Sequence, residues 1–268
     1  MQGLRKSPEL LMTSSCVRSL TLLCVGWSVQ CHGADFSLPG AWDDTKLYFT
    51  APLRWDGQDW LLFGGTLVAV GAAHQLDGRV RNHFAGQNPV LDGNDKNSTR
   101  DAVPAAVLVG GTLAVALAVD SPDGRNEAYR MLEAAALSGV TAEAMKFAAG
   151  RQRPNETLHV NAWRAGGSSF PSLHATAAFA IGTVFAESGS DDYRWTRRII
   201  GFGLAGATAY ARLHGNVHWF SDIVAGSALG AYTGAFVLRR QYADPSSLAI
   251  NVAPGEGGGL SVQLTYTP

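Results

Sequence analysis

Apolar residues form six long stretches between residues 58 and 242, separated by short segments rich in Gly, Pro, Asn and Asp. Stretches of this length without strict apolar–polar alternation are typical of helices rather than of half-buried strands. The sequence contains no internal repeat and no alternation of strand and helix patterns. It therefore predicts an all-α fold, a six-helix bundle. The predicted helices are Trp60–Ala73, Val103–Val119, Asn126–Gly150, Ser172–Glu187, Arg194–Arg212 and His218–Arg240.

After residue 242 the pattern changes to strict alternation. Ser247–Ala253 and Leu260–Thr267 alternate apolar and polar residues on either side of the glycine-rich segment 254–259. Alternation on both sides of a turn predicts a short C-terminal β-hairpin. We expect this tail, residues 243–268, to be a solvated appendage, and a partner-binding strand is the alternative.

The N-terminal residues follow the order of a secretory signal. Arg18 precedes an apolar core over residues 20–29, and the small residues Gly33 and Ala34 come after it. The core is shorter than the roughly 20 residues that a membrane span needs. We therefore predict a cleaved signal peptide over residues 1–34, with residues 35–57 as an extension of the domain 58–242. An uncleaved anchor is the alternative.

Composition narrows the class of protein. Charged residues make up 16% of the chain, against roughly 25% in typical soluble proteins. A formal net charge of −1 gives no support to a nucleic-acid partner. All three cysteines (Cys16, Cys24, Cys31) lie in the predicted signal peptide, so the mature chain would have neither thiol catalysis nor cysteine zinc sites. A membrane protein and a densely packed helical enzyme both remain open.

A first cluster of polar side chains closes the third predicted helix. Lys146 and Arg153 stand in the segment Lys146–Pro154, and Arg151 is grouped with them. Cations complement the dipole at a helix C-terminus, so a solvated basic helix end is the simplest interpretation of this cluster alone.

A second cluster opens the fourth predicted helix. Ser172 is suited to be the N-cap, and the first-turn N–H groups that follow a cap form a ready anion site. His174 lies in that first turn. It could face the same anion, or it could be incidental to a capped helix.

A third cluster joins the fifth predicted helix to the sixth and contains Arg212, His218 and Asp222. A spacing of four residues places His218 and Asp222 on one helical face. An aspartate that accepts a hydrogen bond from one ring nitrogen leaves the other nitrogen as nucleophile or base. Surface His–Asp pairs are common, but the flanks here are apolar, and a buried carboxylate without a partner would be costly.

Together the clusters read Lys-x6-Arg-Pro, Pro-Ser-Leu-His and Arg-x5-His-x3-Asp between residues 146 and 222. This order and spacing resembles the type 2 phosphatidic acid phosphatase (PAP2) superfamily, which also includes bacterial non-specific acid phosphatases and vanadium haloperoxidases. The resemblance implies a PAP2-type helical bundle and a phosphatase that needs neither a metal nor another cofactor.

The resemblance also implies a role for each of eight residues. The implied phosphate-binding residues are Lys146, Arg153, Ser172, Leu173 (through its N–H) and Arg212. The implied catalytic residues are His218 as nucleophile, Asp222 as its orienting partner and His174 as the acid for the leaving alcohol. Three cations suit phosphoryl transfer, because the charge of the transferring group lies on its equatorial oxygens.

Some positions depart from the family pattern or stay open. Leu173 stands where the family usually has Gly, so a bulky side chain would lie beside the phosphate, and Ala211 stands where Ser is common. His214 has no Asp four residues later, and we interpret it as a structural neighbour of the site. Trp163 and Arg164 either line the entrance or lie in an exposed loop.

We expect a phosphomonoester hydrolase that acts through a phosphohistidine on a lipid phosphate or a prenyl diphosphate. The alternatives are a soluble periplasmic non-specific acid phosphatase, a vanadium haloperoxidase and an inactive membrane scaffold. No nucleic-acid partner is expected.

The number of helices that cross a membrane decides on which side of it the catalytic loops lie. If all six predicted helices spanned a membrane after signal cleavage, the catalytic loops would face the cytoplasm. Trp60–Ala73 is short for a span, whereas Val103–Val119 approaches span length without a charge. We expect an exported, membrane-associated enzyme whose site faces the periplasm, with a soluble periplasmic bundle as the alternative.

Overall fold

The computed structural model describes residues 38–86, 91–95, 98–189, 191–240, 248–254 and 260–266. These residues contain seven α-helices. They are α1 (Leu38–Thr50), α2 (Gly57–Ala85), α3 (Ser98–Ala118), α4 (Pro122–Ala149), α5 (Leu173–Glu187), α6 (Arg194–His214) and α7 (Phe220–Arg240). The sequence analysis predicted six, because α1 has no long apolar stretch and was assigned to the N-terminal extension. The predicted signal peptide lies outside the described residues.

Helix α2 is longer than its apolar stretch indicates. It begins with a capping box, in which the Asp56 carboxylate accepts hydrogen bonds from the N–H groups of Gln58 and Asp59 at 2.8 and 2.9 Å. The predicted helix Trp60–Ala73 is too short at its C-terminal end, since the helix runs past Asp77 and Gly78 to Ala85. Asp77 does not end the helix because its carboxylate is buried and fully partnered rather than solvated.

The ends of α4 and α7 decide where the polar clusters lie. Helix α4 begins after the N-cap Ser121 and ends before Gly150, which adopts a left-handed conformation with φ 52°. Helix α7 begins at Phe220, so His218 precedes the helix. The prediction that His218 and Asp222 share one helical face is therefore wrong, although the two side chains still approach each other.

Helix α5 lies at the centre and packs against α4, α6 and α7. Its backbone is in close contact with α7, because a Cβ added at Gly230 would lie 2.1 Å from the Thr176 carbonyl oxygen. At Gly234 the same atom would lie 2.7 Å from the Ala180 carbonyl oxygen. Small residues thus let two helices approach backbone to backbone. The main apolar core beside them includes Met131, Leu137, Ile181, Val184 and Val237.

Several outward faces of the bundle are apolar. Exposed fractions reach 76% for Leu61 and 73% for Val68 on α2, and 72% for Ile199 on α6. Two helical segments in the described part of the chain are long and apolar enough to cross a membrane, Ser98–Ala118 and Phe220–Arg239. The most apolar windows of these segments are 17% and 50% buried.

The C-terminal tail contains two strands, β1 (Leu248–Pro254) and β2 (Leu260–Tyr266). They pair antiparallel, with Leu248 opposite Tyr266 and Pro254 opposite Leu260. The predicted role of this tail as a solvated appendage stays a prediction.

Candidate active site

The end of α4 carries the first predicted group of cations. Lys146 lies in the last turn, is largely buried, and its Nζ lies 2.8 Å from Glu143 Oε1. After Gly150 the chain leaves the helix, and Arg153 extends toward Asp95, with 3.2 Å between Nη1 and Oδ2. In the described part of the chain, Lys146 forms its ion pair with Glu143, and no hydrogen bond or ion pair joins it to Arg153 or Arg212.

The beginning of α5 has the predicted cap. Ser172 is fully buried, its Oγ accepts a hydrogen bond from the Ala175 N–H, and its own N–H donates to the Asp222 carbonyl oxygen at 3.1 Å. The Leu173 side chain packs toward α4, because a Cβ added at Gly139 would lie 3.7 Å from Leu173 Cδ1. The helix N-terminus keeps backbone N–H groups that the helix itself does not satisfy.

His174, in the first turn of α5, is held by the start of α3. Its Nε2 donates to the Ser98 carbonyl oxygen at 2.9 Å. A carbonyl accepts only, so neutral His174 carries its proton on Nε2 and gains or loses charge at Nδ1. Burial lowers the pKa of His174 below 6.5, and the nearby charge of Arg212 lowers it further.

His218 is buried beside Asp222. Its Nδ1 lies 2.9 Å from the Ser169 carbonyl oxygen and 3.6 Å from Asp222 Oδ2. The carbonyl requires an N–H on Nδ1, which leaves an unprotonated Nε2 with a free lone pair. The sequence predicted Asp222 as the acceptor that fixes this tautomer, but the Ser169 carbonyl oxygen makes the shorter contact with Nδ1. Burial lowers the pKa of His218 to about 4, so the ring is neutral near pH 7.

An internal anion joins two of the predicted phosphate-binding cations. The Asp95 carboxylate accepts hydrogen bonds from Arg212, with 3.0 Å between Nη1 and Oδ1, and it also pairs with Arg153. Burial is the largest single influence on Asp95 and raises its pKa, but the hydrogen bond and charge of Arg212 together with the charge of Arg153 lower it more, so the pKa of Asp95 lies below its ordinary value. Asp101 on α3 makes a second pair with Arg212 at 3.0 Å. The Nε atoms of Arg153 and Arg212 are buried and have no hydrogen-bond partner among the described residues.

Arg151 does not belong to a solvated helix end. It is fully buried and lies between two carboxylates, 2.7 Å from Asp222 Oδ1 and 2.6 Å from Asp77 Oδ2. The Trp163 ring covers its guanidinium group, with 4.4 Å from Cζ to the ring centroid. Grouping Arg151 with exposed cations was wrong, because the partner Asp77 stands 74 residues earlier in the chain.

The structure thus brings most of the predicted site together and adds residues that the sequence reasoning missed. Arg153 and Arg212 meet at Asp95. Ser172 and His218 both lie against Asp222. The charge of Arg212 acts on both His174 and His218. The missed residues are Asp77, Asp95, Asp101 and Ser169. His214, on the other hand, is exposed and stacks on Tyr210.

The arrangement combines a neutral imidazole with a free nitrogen, two guanidinium groups around one anion and the N-terminus of a helix. Such a set can bind an oxyanion and attack it. Among the described residues, no group of three or more His, Cys, Asp or Glu side chains is placed to hold a metal ion.

The family model described as the PAP2 superfamily matches residues 127–245, a segment that contains all three clusters. This match confirms the resemblance inferred from the three motifs. A lipid A 1-phosphatase from Porphyromonas gingivalis is 33% identical over 99 residues, which is 37% of this chain and 20% of that protein. The chain therefore aligns with about a fifth of the length of this curated relative.

Two solved structures are similar to the chain. LpxE from Aquifex aeolicus has 21% identity and a TM-score of 0.42, covering 61% of this chain and 95% of that one. The first transmembrane PAP2 type phosphatidylglycerolphosphate phosphatase from Bacillus subtilis has 18% identity and a TM-score of 0.46, covering 66% and 92%.

Proposed function

We propose, from the premise that residues 127–245 match the PAP2 superfamily, that this chain is a phosphomonoester hydrolase acting through a phosphohistidine. One observation carries the proposal. Arg153 and Arg212 both form ion pairs with the Asp95 carboxylate, and their charges also act on the neutral ring of His218. A transferring phosphoryl group carries negative charge on its oxygens and needs the same cations. A substrate oxyanion would then bind between Arg153 and Arg212, in the position that the Asp95 carboxylate occupies here.

The proposed reaction has two steps. In the first, the His218 Nε2 lone pair forms a bond to phosphorus while the bond from phosphorus to the leaving oxygen breaks. His174 gives its proton to that oxygen, so an alcohol leaves. In the second, a water molecule loses a proton to His174 and attacks phosphorus, and the phosphorus–nitrogen bond breaks to release phosphate.

The remaining predicted residues hold the phosphoryl group during both steps. The Nε atoms of Arg153 and Arg212 supply donors that have no partner in the part of the chain that the structure describes. Ser172 and the Leu173 N–H would add donors at the start of α5, and Lys146 a third cation. The Leu173 side chain packs toward Gly139 of α4, which supports a role for the backbone N–H of Leu173 rather than for its side chain.

A lipid phosphate is the substrate class that fits the surface of the bundle. The exposed apolar faces of α2 and α6, together with the largely exposed helix Ser98–Ala118, favour association with a membrane. The curated relative acts, by its name, on lipid A. We propose that the protein is associated with a membrane and that its site lies on the periplasmic side. A preference for short, water-soluble esters would instead favour a soluble acid phosphatase.

Turnover of purified protein on nitrophenyl phosphate and on phosphorylated lipids, without added metal, tests the proposal. His218→Ala should have no activity on either substrate. His214→Ala is a matched control, since this exposed histidine lies only four residues away, and it should keep wild-type turnover. Halide oxidation with added vanadate but no ester hydrolysis would instead identify a haloperoxidase.

A further inference from the structure

A buried charge cluster lies behind His218 and reaches α2, outside the segment matched by the superfamily. Asp77 is fully buried in the middle of α2, and both its oxygens are partnered. Its Oδ1 accepts from the Ser221 N–H at 2.8 Å, and its Oδ2 accepts from the Ser221 hydroxyl at 2.7 Å. His74 Nδ1 lies 2.8 Å from the same Oδ2.

Arg151 connects Asp77 to Asp222. Its Nη2 donates to Asp77 and its Nη1 donates to Asp222, with distances of 2.6 and 2.7 Å. The rings of Trp163 and Trp219 lie 4.4 and 5.1 Å from its Cζ and shield the guanidinium group from water. Counting only the carboxylates and the guanidinium group, two negative charges share one positive charge in a buried place, which leaves one negative charge in excess.

The excess charge lies next to the nucleophile. The second oxygen of Asp222 accepts from the Ser169 hydroxyl at 2.5 Å and from the Trp219 N–H at 2.9 Å. It also lies 3.6 Å from His218 Nδ1. When a neutral imidazole attacks phosphorus, its ring becomes positively charged, and a buried negative charge nearby stabilises that change more than it would in water.

We propose that Asp77 is a positioning residue for phosphoryl transfer. It shares Arg151 with Asp222, so that Asp222 keeps its negative charge for the His218 ring as the bond to phosphorus forms. Without Asp77, the full positive charge of Arg151 would be available to Asp222 and would neutralise it. The inference rests on the proposed function, because it concerns the same nucleophile.

The experiment is a charge-replacement series in the full chain. Asp77→Asn should lower kcat on nitrophenyl phosphate by about 10–100-fold, by analogy with the loss seen when the hydrogen-bond partner of a metal-ligating residue is removed. KM and the inhibition constant of inorganic phosphate should stay within about twofold, because Arg153 and Arg212 still bind the anion. Ser221→Ala is the matched control: it removes the hydrogen bond from the Ser221 hydroxyl to Asp77 and the one that this hydroxyl accepts from Arg151, but no charge, and kcat should fall by less than about threefold.

The double variant Asp77→Asn/Arg151→Gln separates charge from structure. It removes one negative and one positive charge, which restores the single excess negative charge on Asp222, so kcat should recover to within about fivefold of wild type. Losses that add in the double variant would overturn the proposal, as would an unchanged kcat in Asp77→Asn. Failure of both variants to fold, judged by thermal unfolding, would assign Asp77 to folding alone and also overturn it. Wild-type protein without esterase activity would refute the proposed function itself.

Discussion

The proposed acid role of His174 makes the His174→Ala variant sensitive to the leaving group. An alkyl phosphate expels an alkoxide unless a proton arrives, whereas nitrophenolate is stable as an anion. General acid catalysis is typically worth about 10²–10⁴-fold. We expect the variant to lose about that factor on alkyl or lipid phosphates, and much less on nitrophenyl phosphate, where a burst of nitrophenolate should persist.

The structure also sets the pH range of this effect. The pKa of His218 is about 4, so about nine-tenths of the nucleophile is neutral at pH 5. The pKa of His174 is lowered from 6.5 by burial and by the charge of Arg212, so its acid proton is lost at a lower pH than that of an ordinary histidine. On an alkyl phosphate, kcat/KM of the wild type should therefore peak below pH 6.5 and fall as the pH rises toward 7.5.

The assay is the ratio of wild-type to His174→Ala kcat/KM at each pH. This ratio cancels the ionisation of the substrate, whose second pKa is about 6. His174→Gln, which can still donate to the Ser98 carbonyl but cannot act as an acid, should behave like His174→Ala. A ratio that does not change with pH, or equal losses on both substrates, would show that His174 is not the acid.

Three further predictions concern the anion site, the membrane and the N-terminus. Because Arg153 and Arg212 supply the charge around the phosphoryl group, hydrolysis should survive EDTA and be inhibited by orthovanadate, which mimics the transition state; activity lost on chelation and restored by a divalent ion would contradict this. After washing with alkaline carbonate, the protein should stay in the membrane pellet if Ser98–Ala118 spans the bilayer, and release into the supernatant would indicate a soluble bundle. Sequencing of the exported protein should find an N-terminus near Ala34 or Asp35, whereas intact protein beginning at Met1 would indicate an anchor.

Local signals predicted the parts of the site that lie at helix ends. Ser172 is a capping residue followed by an apolar helix, and the cap forms as predicted. The approach of His218 to Asp222 follows from their short separation in sequence, although His218 lies before α7 instead of within it. Features of this kind depend on the conformation of a few neighbouring residues, so they can be predicted from the local sequence.

Long-range partners were beyond the reach of sequence patterns. Asp77 beside Gly78 is a typical helix end, and only a guanidinium group 74 residues later makes it a buried residue inside α2. Asp95 likewise stands in one of the Asn-, Asp- and Gly-rich segments between the predicted helices, where a solvated loop is expected, but its carboxylate pairs with Arg153 and Arg212. A buried charge and a solvated charge have the same sequence signal, and the tertiary partner decides between them.

The covalent intermediate is the most direct test of the proposed mechanism. Protein mixed with ³²P-labelled aryl phosphate, quenched within the burst and digested under alkaline conditions should give one labelled peptide. We predict that the label is stable in base, labile in acid and attached to His218. In the His174→Ala variant the label should accumulate only if the loss of His174 also slows hydrolysis of the phosphohistidine. Label on His214, on a carboxylate or on no residue while turnover proceeds would contradict a phosphohistidine mechanism at His218.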